Sequence, residues 1–217
     1  MRGDRLMVEA HHLAAATILA DRVLRLPTRV GAPAIVTIAG ESGSGKSETA
    51  EALANELKRR GRTALVLQQD DYFEYPPKTN ATRRREDISR VGPQEIRLDL
   101  LSAHLERIRA GAHAIDAPLV DYEGDRIDRQ TIDLYGTDVL IVEGTYTSLL
   151  EPVDLRVFID RTYEETRAAR VARAREVQND VLERVLRIEH RIVSSHKERA
   201  DVLIASNYTV TEQSVRT

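Results

Sequence analysis

Short apolar runs alternate along this chain with longer segments in which apolar residues recur at helical spacing. The apolar runs, which suit strands buried on both faces, are Pro33–Gly40, Thr63–Gln68, Asp138–Gly144, Leu155–Asp160 and Ala200–Ala205. The segments with helical spacing lie between them, at Ser47–Gly61, Gln94–Ala110 and Glu164–His196. Strands that alternate with helices in this way build a parallel sheet covered by helices. The pattern predicts an α/β fold, a three-layer sandwich around a parallel sheet of about five strands.

Two segments fall outside this alternation. Between Gly111 and Asp133, two short extended stretches flank the sequence Glu-Gly-Asp, and we predict a β-hairpin attached beside the sheet. Residues 6–26 carry small and branched apolar residues at helical spacing and end at Pro27, which predicts an amphipathic helix outside the main fold. We therefore divide the chain into an N-terminal helix at 1–30 and an α/β domain at 31–217. Whether the helix caps the domain or joins a dimer is left open.

A stretch rich in glycine and serine, IAGESGSGKSET, joins the first predicted strand to the helix that follows. It contains G-x-x-x-x-G-K-[ST], the pattern of a phosphate-binding loop. The glycines let successive N–H groups turn toward one centre, and the positive end of the next helix favours phosphate oxygens. A plain Gly/Ser turn is the alternative, but the strand before and the helix after are the context that the motif requires. The residues predicted to bind the nucleotide, which the family resemblance given below implies to be ATP, are Gly40, Glu41, Ser42, Gly43, Ser44, Gly45, Lys46, Ser47 and Glu48.

Two residues of this loop, together with one distant acid, suggest a magnesium site. In such a loop Lys46 reaches the β- and γ-phosphates and Ser47 offers its hydroxyl to Mg²⁺. Glu143 ends a predicted strand, at the edge where sheets of this architecture gather ligands. There it could hold Mg²⁺ directly or through water, the alternative being a strand-terminal carboxylate in solvent. The predicted metal ligands are Ser47 and Glu143.

Two adjacent carboxylates, Asp70 and Asp71, follow the second predicted strand at the same edge. Phosphoryl transfer to an alcohol needs a carboxylate that takes the proton of the hydroxyl group. Aspartates at the start of a loop also commonly cap a turn or a helix. Side-chain alternation along the strand does not choose between the two residues.

Three arginines recur at every third residue and share one face of a predicted helix: Arg167, Arg170 and Arg173. Such a stripe is usually a solvated surface. In a kinase it can instead form a lid that closes over the phosphates and neutralises charge in the transition state. The residues alone leave both interpretations open.

Taken together, these stretches resemble the uridine kinase and phosphoribulokinase-like family of P-loop kinases. The matching segments run in order over most of the chain after Pro33: GESGSGKS, QDDYF, GPQEIRLDLL, APLVDYEGDR, DVLIVEG, VFID, the arginine-rich segment, DVLERVL and KERADVLI. The phosphate loop is specific for nucleotide binding, and the ordered set is what points to the family. The resemblance implies a P-loop NTPase fold of the nucleoside-kinase type. It also implies ATP, Mg²⁺ and transfer of the γ-phosphate to a hydroxyl of a small metabolite.

The resemblance implies roles at the matching positions. Asp70 matches the family's catalytic base, which decides between the two aspartates, and Glu143 matches its magnesium-associated glutamate. The arginines follow a somewhat different spacing from the family's lid, so the choice among them, Arg175 included, stays open. The predicted catalytic set is Asp70, Lys46, Arg170 and Arg173, with Arg167 as a further contact to ATP.

For the acceptor, Tyr122 matches an aromatic residue that packs on the substrate base in nucleoside kinases. The predicted acceptor-binding residues are Asp71, Tyr72, Phe73, Tyr122 and Arg126. Tyr75 and Tyr146 also fall in loops at the ligand edge, and these aromatics suit an acceptor with a flat ring. Against this, the basic run TRRRED at Thr82–Asp87, predicted as a loop, would suit the phosphate of a sugar phosphate.

Departures from the family's pattern also concern the acceptor. Nucleoside-phosphorylating members carry Asp-His-Pro ahead of the helix where this chain has RVGP at Arg90–Pro93, so the acid expected to grip the ribose hydroxyls is missing. The family's tyrosine in the hairpin is Val120 here, and the histidine that follows it is absent. We favour a nucleoside as acceptor. A sugar phosphate, and a non-catalytic regulator that binds ATP, stay open as alternatives.

The composition of the chain limits which partners, metal sites and cellular locations are expected. The 217 residues include 32 Lys or Arg and 35 Asp or Glu, a formal net charge of −3 that does not suit a protein coating nucleic acid. The absence of cysteine excludes disulfides and thiolate metal sites. The stretch nearest to a membrane span, Leu13–Leu26, is interrupted by charges, and the N-terminus lacks a signal-peptide layout. We expect a cytoplasmic protein that acts on a small molecule, without nucleic-acid or membrane partners; self-association stays open.

Overall fold

The computed structural model describes residues 6–173 and 179–213, and all of their side chains except those of residues 169, 172 and 173. Its helices are α1 (Ala10–Val23), α2 (Lys46–Arg59), α3 (Pro77–Glu86), α4 (Leu98–Arg109), α5 (Arg167–Arg173) and α6 (Asp180–Val193). Its strands are β1 (Ala34–Gly40), β2 (Ala64–Gln68), β3 (Ala114–Asp121), β4 (Arg126–Asp133), β5 (Val139–Glu143), β6 (Leu155–Asp160), β7 (Val202–Ala205) and β8 (Val210–Glu212). No helix among these residues has both the length and the apolar character of a membrane span.

The central sheet has six strands in the order β2-β5-β1-β6-β7-β8. All neighbours pair in parallel except β7 and β8, so the predicted α/β fold with its parallel sheet is confirmed. The antiparallel strand β8 was not predicted, because three residues are too few for a periodic pattern. Ile38 of β1 and Gln68 of β2 both pair with Glu143 of β5. The carboxyl ends of these three strands therefore lie side by side.

The sheet is buried on both faces, which explains why its strands read as continuous apolar runs. In β1, Val36 and Ile38 pack into a core with α1 and α2, whereas Ile35 packs into a second core on the opposite face. Leu101 and Leu105 of α4 belong to this second core. Helices thus cover both faces, and the molecule is a three-layer sandwich, as the sequence predicts.

The predicted hairpin is confirmed as a separate two-stranded sheet. Strands β3 and β4 pair antiparallel from Ala114 with Asp133 to Asp121 with Arg126. The hairpin lies beside the edge of the main sheet, where the N–H of Val120 donates a hydrogen bond of 2.9 Å to the carboxylate of Asp71. This bond connects the hairpin to the segment that follows β2.

The basic run Thr82–Asp87 is not a loop: its first five residues belong to α3. The helix starts with Pro77, and a residue without an N–H is tolerated there because the N–H groups of the first turn have no partner within the helix. The carboxylate of Asp125, at the tip of the hairpin, accepts hydrogen bonds from the N–H groups of Lys78 and Thr79 at 2.7 and 3.3 Å. Since this cap comes from a distant part of the chain, no local pattern indicated the helix, and the loop prediction was wrong.

The N-terminal helix α1 lies along α2. Its buried side consists mainly of small residues and leucine, among them Ala16 and Leu19, and belongs to the same core as α2 and one face of the sheet. Arg60, at the end of α2, forms an ion pair with Asp21 of α1. The helix predicted within residues 6–26 is therefore present and packs on the sheet domain.

Candidate active site

The phosphate-loop motif forms the connection between β1 and α2. Lys46 is the first residue of α2, so the positive end of the helix dipole lies at the loop. Gly43 has a φ of +76°, and a Cβ at this position would lie 2.7 Å from Cγ of Arg170. Only glycine meets both the backbone conformation and the close approach of the neighbouring segment. The loop therefore has the setting that the motif requires.

Side chains from three separate elements meet beside this loop. The hydroxyl of Ser47 donates a hydrogen bond of 3.0 Å to Oε1 of Glu143 at the end of β5. Nζ of Lys46 donates a hydrogen bond of 2.9 Å to the carbonyl oxygen of Glu41. Asp70 follows β2 at the same edge and lies close enough to Lys46 and Glu143 for their charges to affect one another. The phosphate loop, Glu143 and Asp70 therefore lie together at one edge of the sheet, and their roles in metal binding and proton transfer stay predictions.

The two adjacent aspartates have different surroundings. Asp71 is buried, and its carboxylate accepts the N–H of Val120 from the hairpin. Asp70 is partly buried and faces the charges of Lys46 and Glu143. The structure thus gives Asp71 a part in holding the hairpin and leaves Asp70 beside the phosphate loop. This difference agrees with the choice of Asp70 as the candidate base.

Burial and neighbouring charge perturb both carboxylates at this edge. Burial raises the pKa of Asp70; the positive charge of Lys46 opposes this, and the negative charge of Asp71 adds to it. Burial, and then the charge of Asp70, raise the pKa of Glu143 to about 7, against the opposing effects of Lys46 and the Ser47 hydrogen bond. Two acids that resist ionisation in a cleft suit a site that takes up a proton and a cation.

The donor set fits a magnesium ion carried in with a nucleotide. Among residues 6–173 and 179–213, no cluster of three or more histidines and acids could by itself hold a metal ion. Ser47 and Glu143 supply two oxygen donors in contact with each other. Mg²⁺ is usually bound by one or two protein oxygens together with substrate phosphates and water, so these two donors suffice.

The start of the predicted lid packs on the phosphate loop. The hydroxyl of Thr166 donates a hydrogen bond of 3.0 Å to the carbonyl oxygen of Ser42. The guanidinium of Arg170, which is buried, donates to the hydroxyl of Thr166 at 2.7 Å and to the carbonyl oxygen of Tyr163. Arg170 therefore lies against the loop, as expected of a lid residue.

The other arginines of the stripe are less well placed or not described. Arg167 is exposed, and its contact with ATP stays a prediction. The side chain of Arg173 and the whole of Arg175 lie outside the described part of the chain. Of the two whose side chains are described, Arg170 packs beside the phosphate loop, and its role in a lid stays a prediction.

A second connection to the lid runs through Glu41 of the phosphate loop. Its Oε2 accepts the N–H of Tyr163 at 2.7 Å, and its Oε1 lies 2.7 Å from Nδ1 of His190 in α6. The phosphate-loop motif predicts that Glu41 contacts the nucleotide, and no motif marks Tyr163, Thr166 or His190. No local signal could have found them, since they lie more than 100 residues from the loop in sequence.

The aromatic residues predicted for the acceptor divide into two groups. Tyr72 is 1% exposed, and its hydroxyl lies 2.9 Å from Nδ1 of His104; Tyr146 is 2% exposed and belongs to the second core. These two rings stabilise the core. Phe73 and Tyr122 are partly exposed, and stacking on a ligand stays a prediction for them.

The basic residues near the predicted acceptor site are engaged by neighbours. Arg84 donates to both carboxylate oxygens of Glu95, at 2.6 and 2.9 Å, and to Glu189 at 3.4 Å. The guanidinium of Arg83 lies 3.8 Å from the centre of the Tyr75 ring. Arg126, also predicted for the acceptor, is 60% exposed and pairs with Asp121 and Asp128 of its own hairpin. Much of the positive charge of this region is therefore already compensated within the protein.

A cavity of about 410 Å³ opens next to Ser47 and Asp71, between α2, the edge strand β2 and the hairpin. Apolar residues of β2 and β3 line it together with the amides of Gln68 and Gln130. This volume and mixture of apolar walls with a few polar groups are typical of small-ligand pockets.

The family follows from comparison with known proteins. The model of the Phosphoribulokinase / Uridine kinase family matches residues 35–210. The chain therefore belongs to this family of kinases. The solved structure of a possible uridine kinase from Bacillus stearothermophilus superposes with a TM-score of 0.61 at 20% identity, over 88% of this chain and 97% of that one. The predicted family and its fold are thus confirmed.

The names of two relatives of similar sequence include two different acceptors. The uridine kinase of Ureaplasma urealyticum serovar 10 is 32% identical over 162 residues, which are 71% of this chain and 75% of that protein. The bifunctional alpha-galactosidase/sucrose kinase of Mediterraneibacter gnavus is 28% identical over 193 residues, 82% of this chain. The match spans only 21% of that larger protein.

Proposed function

We propose that this protein is an ATP- and Mg²⁺-dependent kinase that transfers the γ-phosphate of ATP to a hydroxyl group of a small metabolite, with a nucleoside as the favoured acceptor. The observation that carries the proposal is the convergence of three parts at the carboxyl edge of β1, β2 and β5. These parts are the phosphate loop, the hydrogen-bonded pair Ser47 and Glu143, and the carboxylate of Asp70.

The loop and its lysine bind the phosphates of the nucleotide. The N-terminus of α2 at Lys46 favours anions. Nζ of Lys46 donates to the carbonyl oxygen of Glu41 and would donate to phosphate oxygens instead when the nucleotide is bound. A bound magnesium ion would be held by Ser47 and Glu143 and would neutralise charge on the β- and γ-phosphates. Arg170, already packed on the loop, adds a further positive charge on the lid side.

Asp70 handles the proton of the acceptor. The acceptor oxygen forms a bond to the γ-phosphorus, the bond from that phosphorus to the bridging oxygen of the β-phosphate breaks, and the hydroxyl proton moves to a carboxylate oxygen of Asp70. The products are the phosphorylated acceptor and ADP. The raised pKa of Asp70 makes its carboxylate a stronger base than an ordinary aspartate.

The similarity to uridine kinases and the partly exposed rings of Phe73 and Tyr122 support a nucleoside acceptor. A sugar or sugar phosphate is the second candidate, favoured by the similarity to a sucrose kinase and by the basic helix α3. The pairing of Arg84 with Glu95 weakens the sugar-phosphate variant, because that guanidinium already has a carboxylate partner.

An acceptor panel tests the proposal. ADP release is measured with ATP and Mg²⁺ in the presence of single nucleosides, neutral sugars and pentose phosphates, with the Asp70→Asn variant as the inactive reference. Stimulation by one nucleoside supports the proposal, and stimulation by a sugar selects the second candidate. Silence across the panel, with intact ATP binding, would identify a non-catalytic regulator and refute it.

A further inference from the structure

The phosphate loop has a support that the reaction described above does not use. Tyr208, in the turn between β7 and β8, donates a hydrogen bond of 3.0 Å from its hydroxyl to the carbonyl oxygen of Ser44. Its φ is +63°, a left-handed conformation that is costly for a residue with a large side chain. Such strain persists where the surrounding structure compensates it, often at functional sites. Here it directs the ring onto the loop.

Two further residues in the described part of the chain contact the hydroxyl of Tyr208. The guanidinium of Arg161 donates to it at 3.0 Å, and Nε2 of His12 in α1 lies 3.0 Å away. Nδ1 of His12 accepts the N–H of Glu9, so the neutral ring carries its proton on Nε2 and donates it to Tyr208. The hydroxyl oxygen thus accepts two hydrogen bonds and donates one. These two bonds are compatible with the bond to Ser44, in which the hydroxyl donates because a carbonyl oxygen can only accept.

The bond to Ser44 sets the orientation of one peptide group in the loop. In a trans peptide the C=O and N–H groups point in opposite directions. A Ser44 carbonyl held toward Tyr208 therefore turns the N–H of Gly45 to the other side of the loop. Contact is tight: a Cβ on Gly45 would lie 2.3 Å from the Tyr208 hydroxyl and 2.9 Å from Nε2 of His12. The φ of Gly45, +96°, also requires glycine.

We infer that His12 and Tyr208 are positioning residues that hold the Gly45 N–H ready to donate to a nucleotide phosphate. The helix that carries His12 lies ahead of residues 35–210, the part matched by the family model, whereas Tyr208 lies within that part. The inference rests on the proposed function, because it assigns these residues to the nucleotide half of the same site. Nucleotide affinity, rather than acceptor affinity, then depends on α1.

Tyr208→Phe tests the inference, since it removes one oxygen and leaves the ring against His11 and Arg161. We expect the dissociation constant for ADP with Mg²⁺, measured by calorimetry, to rise about fivefold to tenfold, the effect of losing one buried hydrogen bond. The KM for ATP should rise by the same factor while the KM for the acceptor stays unchanged. A residue that only stabilises the fold would not produce this split. Tyr135→Phe, the same change at an exposed tyrosine, should bind like wild type.

Variants of His12 provide an independent test, which also decides the case if Tyr208→Phe does not fold. His12→Phe removes the donor and should weaken nucleotide binding, whereas His12→Gln keeps an N–H donor and should restore much of it. Adding His12→Phe to Tyr208→Phe should cost little more, because both act through one bond. If the wild type binds nucleotide and both Tyr208→Phe and His12→Phe bind it equally well, the inference is overturned and the proposed function is not affected. A wild-type protein that binds no nucleotide would refute the proposed function as well.

Discussion

Ser47 and Glu143 are 96 residues apart in the chain and joined by a hydrogen bond of 3.0 Å between hydroxyl and carboxylate. One is in the first turn of α2 and the other is the last residue of β5. The bond therefore connects the phosphate loop to the neighbouring strand, and it places the two candidate magnesium donors side by side. Predictions about nucleotide chemistry and about stability both follow from this pair.

Glu143→Gln should abolish most turnover while keeping an oxygen that accepts from Ser47. The loss of negative charge weakens magnesium binding, and we expect turnover to fall by about two orders of magnitude, or about 3 kcal/mol of barrier. The check is the rate of ADP formation as a function of Mg²⁺ concentration, compared with Glu106→Gln on the exposed side of α4. A variant with the magnesium dependence of wild type would exclude the assigned role.

The same variant should be more stable than wild type in alkaline solution without metal or nucleotide. The pKa of Glu143 in the folded protein is about 7, above its ordinary value of 4.5. Ionisation of this carboxyl therefore destabilises the fold as the pH rises from 4.5 to about 7. Gln lacks this cost, and we expect it to gain about 1 to 3 kcal/mol at pH 8 and almost nothing at pH 4. Urea unfolding in EDTA at the two pH values measures the difference. An equal difference at both would contradict it.

Asp70→Asn should separate binding from chemistry. The amide cannot take the acceptor's proton, and we expect turnover to fall by about 10² to 10⁴ while ATP affinity changes less than about threefold. Single-turnover kinetics and calorimetric titration with ATP measure the two quantities. Asp99→Asn, at an exposed position in α4, is the matched control. An equal loss of affinity and rate would show that Asp70 binds the nucleotide instead.

Lys46→Met should alter the pH dependence as well as the rate. The charge of Lys46 lowers the pKa of Asp70, so its removal leaves that carboxyl protonated up to a higher pH. We expect the acidic limb of the kcat/KM profile to move to higher pH and the maximum rate to fall by at least about a hundredfold. The profile is compared with that of Lys58→Met, an exposed lysine later in α2. An unmoved acidic limb would argue against electrostatic contact between Lys46 and the base.

Arg170→Ala should weaken the lid without unfolding the protein. The change removes the guanidinium bonded to Thr166 and the side chain that packs on Gly43. We expect kcat to fall by about tenfold to a thousandfold, with a small decrease in melting temperature. Initial rates and thermal unfolding are compared with those of Arg107→Ala, an exposed arginine of α4. A large loss of stability with unchanged kcat would make Arg170 a structural residue only.

The fold could be predicted wherever local sequence reflects long-range burial. The strand β1 is apolar throughout because helices cover both faces of the sheet, so its pattern reports the architecture directly. Helix α3 is the opposite case. Its residues are almost uniformly polar, and its first turn is capped by Asp125 of the hairpin, so the information that makes it helical lies outside it.

The candidate site was predictable to a similar extent. Lys46 and Ser47 were predicted from a motif, and Asp70 from a strand end together with the family resemblance, which decided between it and Asp71. Tyr208 and His12 were not, because their contact spans 196 residues and neither belongs to a recognisable pattern. The residues that support a motif can come from any part of the chain that packs against it, and only the folded structure identifies them.

Arg84 extends from α3 to Glu95 on one side and to Glu189 of α6 on the other. Helix α3 contacts the tip of the hairpin through Asp125, while α6 contacts the phosphate loop through His190. One guanidinium thus connects the helix capped by the hairpin to the helix that contacts the loop. Movement of α3 relative to α6 is therefore expected to require the breaking of an ion pair of Arg84.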